Sequence, residues 1–289
     1  MSASEGEKNL RCANLLCVNS GRSWWGLKRP PQGIRVNERW YCSMDCMESG
    51  LERTVKRLDP KTAQRHPLRY RQPLGLLMLT RGMISQEFLR SALHAQRDKG
   101  HTRIGEWLCR MGAVTEEQLT AALSLQWGCP VFPLERSNKF LEWSDLVPLP
   151  LLRDAGIVIV HSQPRSPVFY VGFSLGIDHT VLRGLETMLD FETEPCVVMQ
   201  SALDAAHNQI EKQVRSPCRV VKGEHHPAVI ARMVREEAES SGVEVARMVG
   251  LAGYYWLRLQ KSSQTSHLLF EIPVLSDSGQ DGDDEPEAQ

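Results

Sequence analysis

What this chain of 289 residues lacks narrows its function first. No segment approaches the roughly 18 consecutive apolar residues of a membrane-spanning helix. Residues 1–15 carry no apolar core of the kind that defines a secretory signal, which places the expected location in the cytoplasm. The net charge is only -1, so the overall balance calls for neither nucleic acid nor an acidic surface as partner. No G-x-x-x-x-G-K-[ST] string is present to cradle a nucleoside triphosphate, and no H-E-x-x-H to hold a catalytic metal. No serine in a G-x-S-x-G elbow is expected either. These gaps read as a non-enzymatic chain.

The charge that is present is unevenly spread. Residues 1–72 hold fourteen Lys and Arg against seven Asp and Glu. From Ser276 onward there are six acids and no base, a composition that predicts a disordered tail over 276–289. Four of the eight cysteines cluster near the start as Cys12-x4-Cys17 and Cys42-x3-Cys46. Two close pairs separated by a loop are how a chain builds a tetrahedral sulfur cage for zinc. In a reducing compartment such a quartet is better read as metal ligands than as disulfides. The alternative is four unrelated thiols. A four-sulfur site has no open coordination position, so its zinc is structural. It would let residues 1–58, too short for much core, fold as a module of their own. The text RWYCSMDC resembles the knuckle-then-helix half of treble-clef zinc domains, with the helix expected over Met47 to Leu58. The basic excess and Trp24, Trp25, Trp40 and Tyr41 leave a second reading, a zinc-dependent nucleic-acid-binding regulator. Protein docking, or tryptophans that simply form a small core, is the preferred one. Cys109, Cys129, Cys196 and Cys218 lie in apolar contexts and read as core residues.

After a polar linker over 59–72, a 24-residue pattern occurs twice at an offset of 30: Pro73 to Gln96 and Arg103 to Gln126. Seven positions are identical, Gly75/Gly105, Gly82/Gly112, Glu87/Glu117, Leu89/Leu119, Ala92/Ala122, Leu93/Leu123 and Gln96/Gln126. A duplication this regular is one structural unit used twice. Each copy predicts a short helix, a left-handed glycine stop at Gly82 or Gly112, and a second helix capped by Ser85 or Thr115. The tandem repeat occupies 73–130.

The repeat resembles the N-terminal domain of type II secretion and type IV pilus assembly ATPases, the MshE/GspE N-terminal family, some members of which bind cyclic di-GMP. The second copy matches at Arg103, Ile104, Gly105, Leu108, Leu119, Leu123 and Gln126. The first matches at Leu74, Gly75, Met78, Leu89, Leu93 and Gln96. It departs at the arginine position, which is Pro73, and the spacer is six residues. The resemblance implies a cyclic di-GMP site on these residues and a secretion or pilus assembly as protein partner. Physically, an arginine can stack on guanine and bond its edge, a helix-start glycine admits a phosphate, and leucines floor the bases. The bland reading of the same leucines and glycines is a helical bundle.

The remainder predicts a small α/β subdomain over 131–214. Its strands are expected at Gly156–His161, Val168–Ser174 and Pro195–Gln200, with helices from Asp178 and behind a Ser201 cap. An α+β segment over 219–275 is expected to follow, with one helix (Pro227–Ser240) and three strands. Arg258 is expected to face solvent. The fold class is thus α+β multidomain: a small zinc module, a tandem helical repeat, then a small mixed sheet with helices on one face.

Overall fold

The computed structural model describes residues 11–18, 33–58, 71–99, 102–162, 168–213, 216–223, 225–262 and 264–272. Trp24, Trp25, most of the linker and the acidic tail lie outside them. The protein is mixed α/β, with two sheets and a cysteine cluster.

The larger sheet joins segments far apart in the sequence. Its strands are β1 (Ile34–Val36), β2 (Arg39–Tyr41), β6 (Cys218–Val221), β7 (Val245–Leu251), β8 (Tyr254–Lys261) and β9 (Gln264–Glu271), in the order β2-β1-β7-β8-β9-β6. The β1–β2 turn places Asn37 and Glu38 at φ 45° and 64°, the left-handed pair that a two-residue hairpin needs. Strand β1 then lies parallel to β7, with Arg35 opposite Val245 and Val36 opposite Ala246. Past the end of β1 the Asn37 side chain continues the ladder. Its Nδ2 donates to the Met248 carbonyl (3.0 Å) and its Oδ1 accepts from the Met248 N–H (2.7 Å). The amino-terminal module and the segment from 219 on, read separately in the sequence, therefore share one sheet. Strand β6 was absent from the sequence reading; four residues beside Pro217 give too short an alternation.

Alternation along β7–β9 supplies two faces. One packs Ala246, Met248, Leu257, Leu259, Leu268 and Phe270 against helices α1 (Met44–Arg57) and α9 (Pro227–Ser241). These helices meet through Met47, Leu51 and Val55 on one side and Ile230, Ala231 and Val234 on the other. The opposite face presents Val249, Leu251, Trp256 and Leu269 to the core of the α/β layer. Arg258 is half-buried instead of solvent-facing. Its Nε is buried without a hydrogen-bond partner among the described residues, and burial, then Arg247, lowers its pKa.

The tandem repeat forms α2 (Leu74–Thr80), α3 (Gln86–Lys99), α4 (Ile104–Arg110) and α5 (Glu116–Trp127). Gly82 and Gly112 have φ 68° and 69°. In each stop an N–H reaches back five residues, Met83 to the Met78 carbonyl and Ala113 to the Leu108 carbonyl, closing the helix as a left-handed glycine allows. Thr115 and Gln118 form the expected capping box, and Ser85 accepts from the Phe88 N–H.

The smaller sheet has the order β3-β4-β5, with β3 (Ile157–Ser162) antiparallel to β4 (Val168–Phe173) and β4 parallel to β5 (Glu192–Val197). Helices α6 (Leu149–Ala155), α7 (His179–Leu189) and α8 (Gln200–Glu211) complete the layer. Strand β5 starts three residues before its expected position, because pairing with Val168–Phe173 recruits the polar Glu192–Glu194. Ser201 does not cap α8; Met199 holds that position. Ser201 instead donates its N–H and hydroxyl to the two Glu116 oxygens, both at 2.7 Å, which fastens α5 to α8.

Candidate functional site: a four-cysteine centre and a paired repeat

The cysteine centre is assembled by local chain geometry. Ala13 donates to the Trp40 carbonyl (2.8 Å), which ties the Cys12–Cys17 turn to β2. Inside that turn, Asn14 Oδ1 accepts from the Leu16 N–H (3.2 Å) and from Arg53 of α1 (2.7 Å). Cys42 follows β2, and Ser43 caps α1 by accepting from the Cys46 N–H. The helix begins at Met44, three residues earlier than expected, because the Ser43 cap sets its start. That puts Cys46 within the first turn. Gly50 leaves the space for the Tyr41 ring; a Cβ there would lie 2.4–2.5 Å from it.

The sulfurs of Cys12, Cys17, Cys42 and Cys46 all lie within 4.8 Å of one another. Cys17–Cys42 is 3.5 Å and Cys42–Cys46 is 3.8 Å. A tetrahedron with metal–sulfur bonds of about 2.3 Å has edges of about 3.8 Å, so the quartet fits a zinc-sized ion. Without a cation the four thiols cannot all ionise. Burial, then the hydrogen bond with Cys17, pushes Cys42 up to about 12. Burial acts upward on Cys46 too, but hydrogen bonds led by Ser43 bring it to about 7. A divalent metal would hold all four as thiolates. The other cysteines behave as apolar groups: burial raises Cys196 to about 12 and Cys218 to about 11.

The two repeat copies pack reciprocally, each against the other, as a pseudo-two-fold rotation would place them. A Cβ built on Gly75 would meet Leu89 at 2.6 Å and Ile104 at 3.8 Å. One built on Gly105 would meet Leu119 at 2.7 Å and Leu74 at 3.4 Å. Each glycine thus admits the leucine of its own copy and the aliphatic residue of the other. Met78 and Leu108 are fully buried beneath. The glutamines complete the exchange: Gln96 donates to the Thr102 carbonyl and Gln126 to the Gln72 carbonyl, both at 2.9 Å. The symmetry fails at the outer helix faces. Leu123, on the helix that packs against β5, is 5% exposed, whereas Leu93 is 41% exposed.

The arginine position is asymmetric as well. Arg103 is exposed at the N-cap of α4, while Pro73 holds the equivalent place before α2. Helix α4 has only seven residues, so its N-terminal field is short and Arg103 adds a full positive charge at its start. Arg71 lies on the Trp127 face near Arg103, its guanidinium carbon 3.5 Å from the ring centroid. The structure thus brings the predicted residues of both copies into one four-helix unit, with Leu93 on its outside.

One string escaped the sequence reading. Gly172 to Gly176 is G-F-S-L-G, the elbow spacing that was not expected, and it runs from the last two residues of β4 into the loop before α7. The geometry is not that of a nucleophile. Ser174 is buried, has no positive φ, and bonds Gln200 Oε1 at 2.6 Å with no histidine on its hydroxyl. Both glycines have other reasons. A Cβ at Gly172 would press on Val198 at 2.8 Å, and Gly176 has φ 134° in a tight loop.

No protein-family model matches the chain, and no curated protein matches it. Among solved structures it is similar to MshE with cdg, at 24% identity and a TM-score of 0.43, over 48% of this chain and 99% of that one. It is also similar to the N-terminal domain of XpsE in two crystal forms. One has 14% identity and a TM-score of 0.38, over 50% of this chain and 94% of that one. The other has 15% identity and a TM-score of 0.31, over 48% and 91%. At these scores the likenesses assign the chain to no family.

Proposed function

We propose that the protein is a non-enzymatic regulator or adaptor whose tandem repeat binds cyclic di-GMP and whose output is docking onto a secretion or pilus assembly. The pseudo-two-fold pairing of the two copies, with Leu74 on Gly105 and Ile104 on Gly75, carries this reading. A two-fold cyclic dinucleotide presents two guanines and two phosphates, and a duplicated motif presents two half-sites of the same shape. Arg103 supplies the guanine-directed donors of one half. Pro73 leaves the other half with an apolar floor only. The four cysteines are proposed to hold a structural zinc that fixes the β1–β2 hairpin and the start of α1.

Titration calorimetry with cyclic di-GMP tests the ligand. Loss of one charged hydrogen-bonding group costs roughly 1.5–3 kcal/mol. Pro73→Arg should therefore tighten binding by at least ten-fold, and Arg103→Ala should abolish it. If neither the wild type nor Pro73→Arg releases heat, the repeat is a protein-docking surface and the nucleotide reading fails.

A further inference from the structure

Arg103 is engaged, and its partner lies outside the repeat. Its guanidinium donates to the Leu175 carbonyl, in the loop between β4 and α7. The next residue, Gly176, has φ 134°, and a Cβ there would sit 3.4 Å from Arg103 Nη1 and 3.2 Å from the Trp127 ring. Trp127 ends α5, one residue past the second copy, carries Arg71 on its face, and has the His179 ring 6.4 Å away at the start of α7. The loop therefore closes over the arginine end of the second half-site. Helix α7 also packs on the larger sheet, with Gly184 against Leu251 and the Met188 carbonyl accepting from Arg247.

We propose that the Arg103–Leu175 contact is a latch that opposes nucleotide binding. This rests on the reading of the repeat as a cyclic di-GMP site. The Nη1–H that Arg103 gives to Leu175 is one of the donors a guanine edge would draw on, and the bond fixes the direction of the whole planar guanidinium. A ligand that takes Arg103 must release the loop, and by reciprocity a loop held shut weakens the ligand. Occupancy of the repeat is then read out at the loop that leads into α7, the helix between the two sheets.

The full chain and cyclic di-GMP itself are the test materials. Gly176→Ala strains the loop at φ 134° and crowds the Trp127 ring beneath it, which displaces the Leu175 carbonyl without altering Arg103. Calorimetry should show it binding roughly ten-fold more tightly than wild type, about one charged hydrogen bond's worth. In the wild type, saturating nucleotide should speed amide exchange at Gly176 and Ile177. If the two proteins bind alike and the loop amides do not change, the latch is overturned and the ligand reading stands. If neither protein binds, the ligand reading fails and the latch with it. Should Gly176→Ala fail to fold, judged by circular dichroism, exchange in the wild type alone decides.

Discussion

Gln126 donates its side-chain amide to the backbone carbonyl of Gln72, 2.9 Å away and 54 positions earlier in the chain. Gln96 makes the same bond, at the same length, to Thr102. The last residue of each copy therefore holds the entry to the other copy's first helix, and identity at this position follows from the reciprocal bond. A glutamine reaches; an alanine would leave a carbonyl to water.

Gln126→Ala should lower stability by about 0.5–1.5 kcal/mol, the usual net value of one hydrogen bond. Gln126→Glu should cost more, because an ionised carboxylate has no donor for the carbonyl. Urea unfolding checks both. Equal stability of all three proteins would show that the bond contributes nothing.

The glycines facing the leucines should be sensitive in a graded way. An alanine gains about 1 kcal/mol in helix propensity but overpacks the site by roughly 1–3 kcal/mol. Gly105→Ala meets two Leu119 carbons and Leu74, whereas Gly75→Ala closely meets only the Leu89 tip. The expected order of midpoints in thermal unfolding is wild type, then Gly75→Ala, then Gly105→Ala. A reversed order of the two variants would refute the packing account.

Elemental analysis should find one zinc per chain, and Cys46→Ser should lose it. Chelation should not melt a detached module. Because β1 pairs with β7 and α1 packs on α9, amide protection should fall in β7 and α9 as well as in residues 33–58, and remain in α2–α5. Loss confined to residues 11–58 would mean that the shared sheet survives without its metal-held edge.

His267 makes the fold acid-sensitive. Trp256 Nε1–H donates to its Nδ1 (3.1 Å), which places the ring proton on Nε2, toward the Asp145 carbonyl. A second proton would face the indole N–H. Burial is the main cause of a pKa lowered from 6.5 to about 4. The unfolded chain then binds more protons between these values, so stability is full above pH 6.5 and lost as pH falls toward 4. The loss is of order 3 kcal/mol. Denaturation midpoints of wild type and His267→Gln across pH 4–7 check this; the variant should show the shallower slope.

Much of the architecture was legible because its causes are local. The offset of 30, the glycine stops and the Thr115 capping box depend on residues within one or two turns, and the structure keeps them where the sequence placed them. The spacing of Cys12, Cys17, Cys42 and Cys46 likewise announced a cluster before any coordinate did. Alternation located β3, β4, β7, β8 and β9, put the start of β5 three residues late, and missed the short strands β1, β2 and β6.

Tertiary structure decided what distant segments do to each other. Asn37 reads as a turn residue, yet its amide completes a ladder with Met248, 211 positions away. Leu93 and Leu123 are identical in type and helix position, and only packing of α5 against the α/β layer buries one and leaves the other exposed. Arg103 announced itself as a candidate ligand residue, but not that Leu175 holds it. Periodicity and capping are short-range energies written within a few residues. Burial, cross-strand pairing and the partner of a long flexible arginine belong to the folded whole, because they depend on which surfaces compete for the same space.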